Sequence, residues 1–178
     1  MLVQHNKNWL MSKNIGLNVI ENTTLEQLII YWNQVKVTSN KGMYPDRNSI
    51  KTLDLIKIGI NGYTHICNVE DSDSENFYAE EFGARTLPNV RIGVDIRQLP
   101  LKKYPKLACA TLQAYEFLTV KTSGVPLVQE LRGIINGNLK RYDRIILPLA
   151  TDSIHIDKLL VGVNYREADF NTIYAGSC

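Results

Sequence analysis

The 178-residue chain has no apolar run approaching the ~20 residues that a bilayer-spanning helix needs. Met1 to Asn22 also lacks the apolar core of a secretory signal. Both absences lead to the expectation of a cytoplasmic protein with no membrane partner. Nor is there a concentrated basic stripe: 20 Lys and Arg stand against 18 Asp and Glu, a net charge of +2 spread along the chain. A nucleic-acid binder gathers its cations on one face, so no nucleic-acid partner is expected. Cysteine is scarce. Cys67, Cys109 and Cys178 are odd in number and show no CxxC spacing, which fits free thiols in a reducing compartment rather than a disulfide framework.

Catalytic signatures are missing as well. There is no Gly-x-Ser-x-Gly elbow, no phosphate-cradling Walker loop, no Gly-x-Gly-x-x-Gly and no His-Glu-x-x-His. Asp71-x-Asp73-x-Glu75 has the look of a calcium loop. However, Asn76 occupies the position that needs glycine, and Phe82 the position that needs a bidentate glutamate. His65 and Cys67 share one face of an expected strand, and with Cys109 and His155 they could be assembled into a soft metal site. None of the spacings is that of structural zinc, so no metal is expected and no cofactor is identified.

What is present is enough for one domain with a hydrophobic core. An Asn-rich stretch, 1–22, reads as a flexible or loosely docked leader. A helix is expected from Leu25 to Val37, with Thr23 and Glu26, or Thr24 and Gln27, at capping-box spacing and Leu25, Leu28, Ile29, Trp32 and Val35 in one stripe. A short helical turn follows near Thr52 to Ile56, so 23–58 reads as an N-terminal helical flank. Two strands, Thr64 to Val69 and Asn76 to Phe82, flank an acidic turn. Pro88 and Pro100 punctuate an irregular stretch with a short helix near Gly93 to Gln98. A long helix then runs from Pro105 to Gly124, with Ala108, Thr111, Leu112, Tyr115 and Leu118 marking one face. Three antiparallel strands close the chain: Val125 to Ile135, Arg141 to Ala150 and Ile156 to Tyr165. The first two join at Asn136-Gly137, a strong hairpin signal. The core therefore spans 59–168, with a C-terminal tail over 169–178.

Two strands, a helical crossover and a three-strand meander form the element order of a PAS domain, and particular residues sharpen the likeness. Tyr31-Trp32 followed by Tyr44-Pro45-Asp46-Arg47 resembles the opening of a family of stand-alone bacterial PAS-like proteins. Phe77 to Arg85, ending Phe82-Gly83-Ala84-Arg85, resembles that family's second strand. Tyr142 to Leu149, with Arg144 before Leu147-Pro148-Leu149, resembles its penultimate strand, and Asp157 to Val161 the start of its last. Ala79 and Glu80 stand where the family's pattern has an aromatic and an arginine.

The resemblance implies an α+β fold: a five-stranded antiparallel sheet, helices packed on one face and an N-terminal flanking helix. It also implies a non-enzymatic sensory module that binds a small molecule or a protein. Phe77, Tyr115, Leu118, Leu147, Leu149 and Val161 are the expected cavity lining between long helix and sheet. Leu28, Ile29 and Trp32 are the expected seam of a homodimer. With no output segment in the sequence, the signal is expected to pass to a separate downstream protein. Two other readings remain open. One is a small α+β enzyme, in which ionisable residues such as His65 with Asp95 or Glu81 would converge inside the cavity. The other is a dimerisation module with a filled core.

Overall fold

In chain order the computed structural model contains β1 (Leu2–His5), β2 (Asn8–Asn14), α1 (Thr24–Ser39), α2 (Thr52–Lys57), β3 (Thr64–Asn68), β4 (Tyr78–Phe82), α3 (Leu107–Ser123), β5 (Leu127–Ile135), β6 (Asn138–Ala150) and β7 (Ile156–Tyr165). The structure describes residues 1–5, 8–21, 23–39, 42–83, 98–103, 107–135, 138–152 and 154–165. The short helix expected near Gly93 to Gln98 lies almost wholly outside them, as do the Asn136-Gly137 turn and the tail.

The seven strands form one antiparallel sheet in the order β1-β2-β5-β6-β7-β3-β4. The expected five strands are all present. The other two come from the stretch read as a leader, where β1 and β2 pair and β2 lies beside β5. That leader was missed because Trp9-Leu10-Met11 is a continuous apolar run. It hides a period of two in which Leu10 and Ser12 turn inward while Met11 faces solvent.

The helices do not share one face, and this corrects the second expectation. Every residue of β6 from Asp143 to Ala150 is buried. Successive strand side chains alternate between faces, so such a run requires cover on both. Ile145, Leu147 and Leu149, with Leu160 of β7, pack under Leu25, Leu28, Trp32 and Val35 of α1. Ile146, with Leu159, Val161 and Val163 of β7, packs under Ala110, Ala114, Phe117 and Val120 of α3. The product is three layers, helix on sheet on helix.

Local chemistry explains the joints. Thr23 Oγ1 accepts from the Glu26 amide at 3.4 Å, the cap its spacing suggests. Trp32 Nε1 donates 2.9 Å to the carbonyl of Pro148, which lies beyond the end of β5 and so lacks a ladder partner on that side. Gly162 lets α1 come close: a Cβ there would sit 2.6 Å from Leu28 Cδ2. Gly124 ends α3 at φ +68°, a left-handed position glycine adopts freely. The Tyr44 phenol occupies the space where its Cβ would project.

Leu28 is fully buried against the sheet, so Leu28→Ala is expected to lower unfolding free energy by about 2 to 5 kcal/mol. The native mass should not change. Urea unfolding and sedimentation check the two halves of that statement, and a lost dimer with unaltered stability would contradict it.

Candidate functional site

Between α3 and the sheet the core is not wholly apolar. Gln129 of β5 and Arg144 of β6 stand directly opposite each other, so their side chains lie on one face. That face looks at α3, where Glu116 points down among Ala110, Ala114, Phe117 and Val120. Only 2% of the Arg144 side chain and 3% of that of Glu116 reach solvent.

The three side chains close a triangle. Gln129 Nε2 donates 2.6 Å to Glu116 Oε1. Arg144 Nη2 donates to Glu116 Oε2, and at 2.7 Å to Gln129 Oε1. Nε and Nη1 of the same guanidinium are buried and have no hydrogen-bond partner among the described residues. Two nitrogens carrying three of the five N–H donors of arginine therefore face the interior unmatched. Lys158, the other buried cation among the described residues, offers a contrast. Its Nζ lies 2.8 Å from Glu70 Oε1 and 3.0 Å from Glu80 Oε1.

His65 and Cys67 of β3 share the α3 face, with His65 opposite Val161 and Cys67 opposite Leu159. Burial, then the positive charge of Arg144, carries the His65 imidazole down to about 3. Burial pushes the Cys67 thiol well up, and the Arg144 charge only partly opposes that. At neutral pH both are uncharged. His155 is remote from this layer in character, since it is exposed in the β6–β7 turn with Nδ1 2.5 Å from Asp152 Oδ2. Among the described residues no three His, Cys, Asp or Glu side chains are grouped to hold a metal ion.

The expected cavity lining does not converge. Phe77, Leu118 and Val161 lie on the α3 side. Leu147 and Leu149 lie on the opposite face beneath α1. Tyr115 is 58% exposed on the outer side of α3. The stripe Thr111, Leu112, Tyr115, Leu118 runs along the flank of the helix. The face on the sheet carries Ala110, Ala114, Phe117 and Val120 with the buried Glu116, and of the expected stripe only Leu112 is fully buried. Of the expected dimer seam, Leu28 and Trp32 are used in the chain's own core. Ile29 alone reaches a surface feature, an apolar groove of 460 Å³ shared with Ile15, Leu17, Val125 and Leu127. Of the pair His65 with Asp95 or Glu81, Asp95 lies outside the described residues. Glu81 is on the surface paired with Arg47.

The Glu116–Gln129–Arg144 triangle was legible in one respect. The hairpin signal joins β5 to β6, Ile135 lies opposite Asn138, and six residues away along each strand Gln129 falls opposite Arg144. Nothing in the spacing brings Glu116 to them. No family model, curated protein or solved structure matches the chain.

The depressed His65 value makes a pH prediction. A histidine near 6.5 when unfolded and near 3 when folded binds more protons in the unfolded state between those values. Stability is therefore complete above the unfolded value and falls as pH drops below it. The slope approaches about 1.4 kcal/mol per pH unit for one proton. Urea unfolding at pH 7, 6 and 5 should show this loss in the wild type and a shallower one in His65→Gln. Equal slopes would refute it.

Proposed function

We propose that the chain is a PAS-like sensory module that binds a small, oxygen-bearing molecule between α3 and the sheet, without catalysing a reaction. The observation that carries this reading is the Arg144 guanidinium, buried with Nε and Nη1 unmatched. Leaving a buried donor unpaired costs about 1 to 3 kcal/mol, and more for a charged group, so such donors are matched by water or by a ligand. The element order supports the family reading. Two paired strands, β3 and β4, precede α3, and the meander β5-β6-β7 returns to pair with β3.

Chemistry also bears on the ligand class. Glu116 already balances the Arg144 charge, so a full anion would bring an unbalanced charge into a poorly solvated layer. A carbonyl or hydroxyl oxygen on an otherwise apolar body meets the free donors without that cost. Phe77, Phe117, Ile146 and Val161 supply the apolar surroundings. The enzyme reading finds ionisable groups in this layer, as it requires. Yet burial leaves His65 only weakly basic and holds Cys67 as the thiol, so neither has the usual strength of a base or nucleophile at neutral pH. That favours binding over catalysis.

Native mass spectrometry of freshly purified protein, followed by thermal-shift measurements with small ketones, amides and alcohols, tests the proposal. A ligand at a hundred times its Kd stabilises by about 2.7 kcal/mol, which raises Tm by about 5 to 10 °C in a chain of this size. The expected result is a co-purified mass or such a shift, absent from the double variant Arg144→Met, Glu116→Leu. If no molecule binds and the double variant is as stable as the wild type, the triangle is packing alone and the proposal fails.

A further inference from the structure

Apart from His65, the charged or chargeable side chains buried among the described residues are Glu116, Asp143, Arg144 and Lys158. Alternation along β6 and β7 divides them between the two faces of the sheet. Asp143 stands next to Arg144 along β6 and so turns to the α1 side. Lys158 stands opposite Leu149, which packs under α1, and is matched by Glu70 and Glu80. The α3 side therefore holds one buried cation, Arg144, and one buried anion, Glu116. Its neighbours His65 and Cys67 are uncharged at neutral pH. Among the described residues the net charge of this layer is zero, and Glu116 alone makes it so.

The carboxylate is held in place from two sides. Its Oε1 accepts from Gln129 Nε2 at 2.6 Å, and its Oε2 accepts from Arg144 Nη2. Gln129 Oε1 accepts from the same Nη2 at 2.7 Å. Nη2 thus gives both its hydrogens to the protein's own acceptors. What the guanidinium has left, on Nε and Nη1, is donor capacity without uncompensated charge. An uncharged acceptor oxygen meets that capacity. A second carboxylate would meet it too, but would leave the layer with a negative charge that no cation offsets. Burying an unbalanced charge costs far more than burying a paired polar group.

We propose that Glu116 is the specificity-determining residue of the α3 layer. By cancelling the Arg144 charge it admits uncharged acceptors such as amides and turns away carboxylates of the same shape. This role rests on the binding reading proposed above and assigns the choice of ligand charge to one side chain. Without its carboxylate the layer carries the bare charge of Arg144 and takes an anionic ligand as counter-ion. Gln129 lies within hydrogen-bond reach of both partners, so exchanging Glu116 and Gln129 moves the carboxylate from α3 to β5 and keeps the layer neutral. The preference for uncharged acceptors then returns.

Benzamide and benzoate differ in charge and hardly in shape, and calorimetric titration of each against the full chain tests the assignment. The wild type is expected to favour benzamide by about tenfold or more in Kd. In Glu116→Gln the order should invert by about the same factor. In the exchange variant Glu116→Gln, Gln129→Glu it should return to that of the wild type. If Glu116→Gln alone does not fold, benzoate and not benzamide should restore its circular dichroism, since a ligand that binds only the folded chain stabilises it. A wild type that binds benzoate as tightly as benzamide overturns the role of Glu116 and leaves the ligand reading standing. An order that Glu116→Gln leaves unchanged does the same. A wild type that takes neither probe overturns the role as well, whereas the ligand reading falls only if the ketones and alcohols also fail.

Discussion

A guanidinium in the middle of a strand covered on both faces constrains everything around it. Arg144 belongs to the buried run of β6, and its head lies in the α3 layer. A charge there must be met by a counter-charge, and the cost of removing both from water is several kcal/mol per ion. Glu116 therefore has one permitted place, above Arg144, and that fixes how α3 sits along the sheet. Gln129 completes the arrangement by donating to Glu116 and accepting from Arg144. Such a pair contributes little net stability compared with well-packed apolar side chains. Its value is positional, and the donors it leaves over are its chemical consequence.

The α1 layer is built on a different principle. Leu25, Leu28 and Val35 meet Ile145, Leu147, Leu149 and Leu160 with no buried ion pair between them. A directed contact between this helix and the sheet is the indole of Trp32 on the Pro148 carbonyl. Apolar packing tolerates small displacements, whereas the Glu116–Gln129–Arg144 triangle holds only in its own geometry. The sheet thus has one adaptable cover and one keyed cover, and the alternation along β6 and β7 assigns each side chain to one or the other.

How much of this could be read from the sequence depends on where the information was local. α1, the β3–β4 pair and the last three strands have sharp local signals: a cap, a stripe, two turns. β7 begins and ends where its pattern does. The N-terminal hairpin was lost because its two faces are both partly apolar, so period-two alternation is blurred at Trp9, Leu10 and Met11. The buried face of α3 was misassigned for a related reason. Ala110, Ala114 and Glu116 do not register as hydrophobic, yet small side chains allow close approach and a paired glutamate can be buried. The period of two along β6 puts Leu147 and Leu149 on one face. Which helix covers that face is a tertiary fact, and no residue of the strand encodes it.

Protonation is an unpromising way for the α3 layer to respond near neutral pH, because the titratable groups of β3 facing Arg144 are already locked. His65 stays neutral and Cys67 stays protonated, each chiefly through burial. What remains open is occupancy of the free Arg144 donors, and α3 is the element such occupancy bears on through Glu116. The same helix reaches further. Four residues before Glu116, Leu112 packs on Leu10 and Leu131, with Val3 of β1 against that cluster. Contacts thus run unbroken from the buried guanidinium, along one side of α3, to the strand at the edge of the sheet. Contiguity is not coupling, which requires an element with two arrangements that both ends can bias. The keyed fit of Glu116 over Arg144 makes α3 the element to examine for two such arrangements, since its position cannot drift gradually without breaking the triangle.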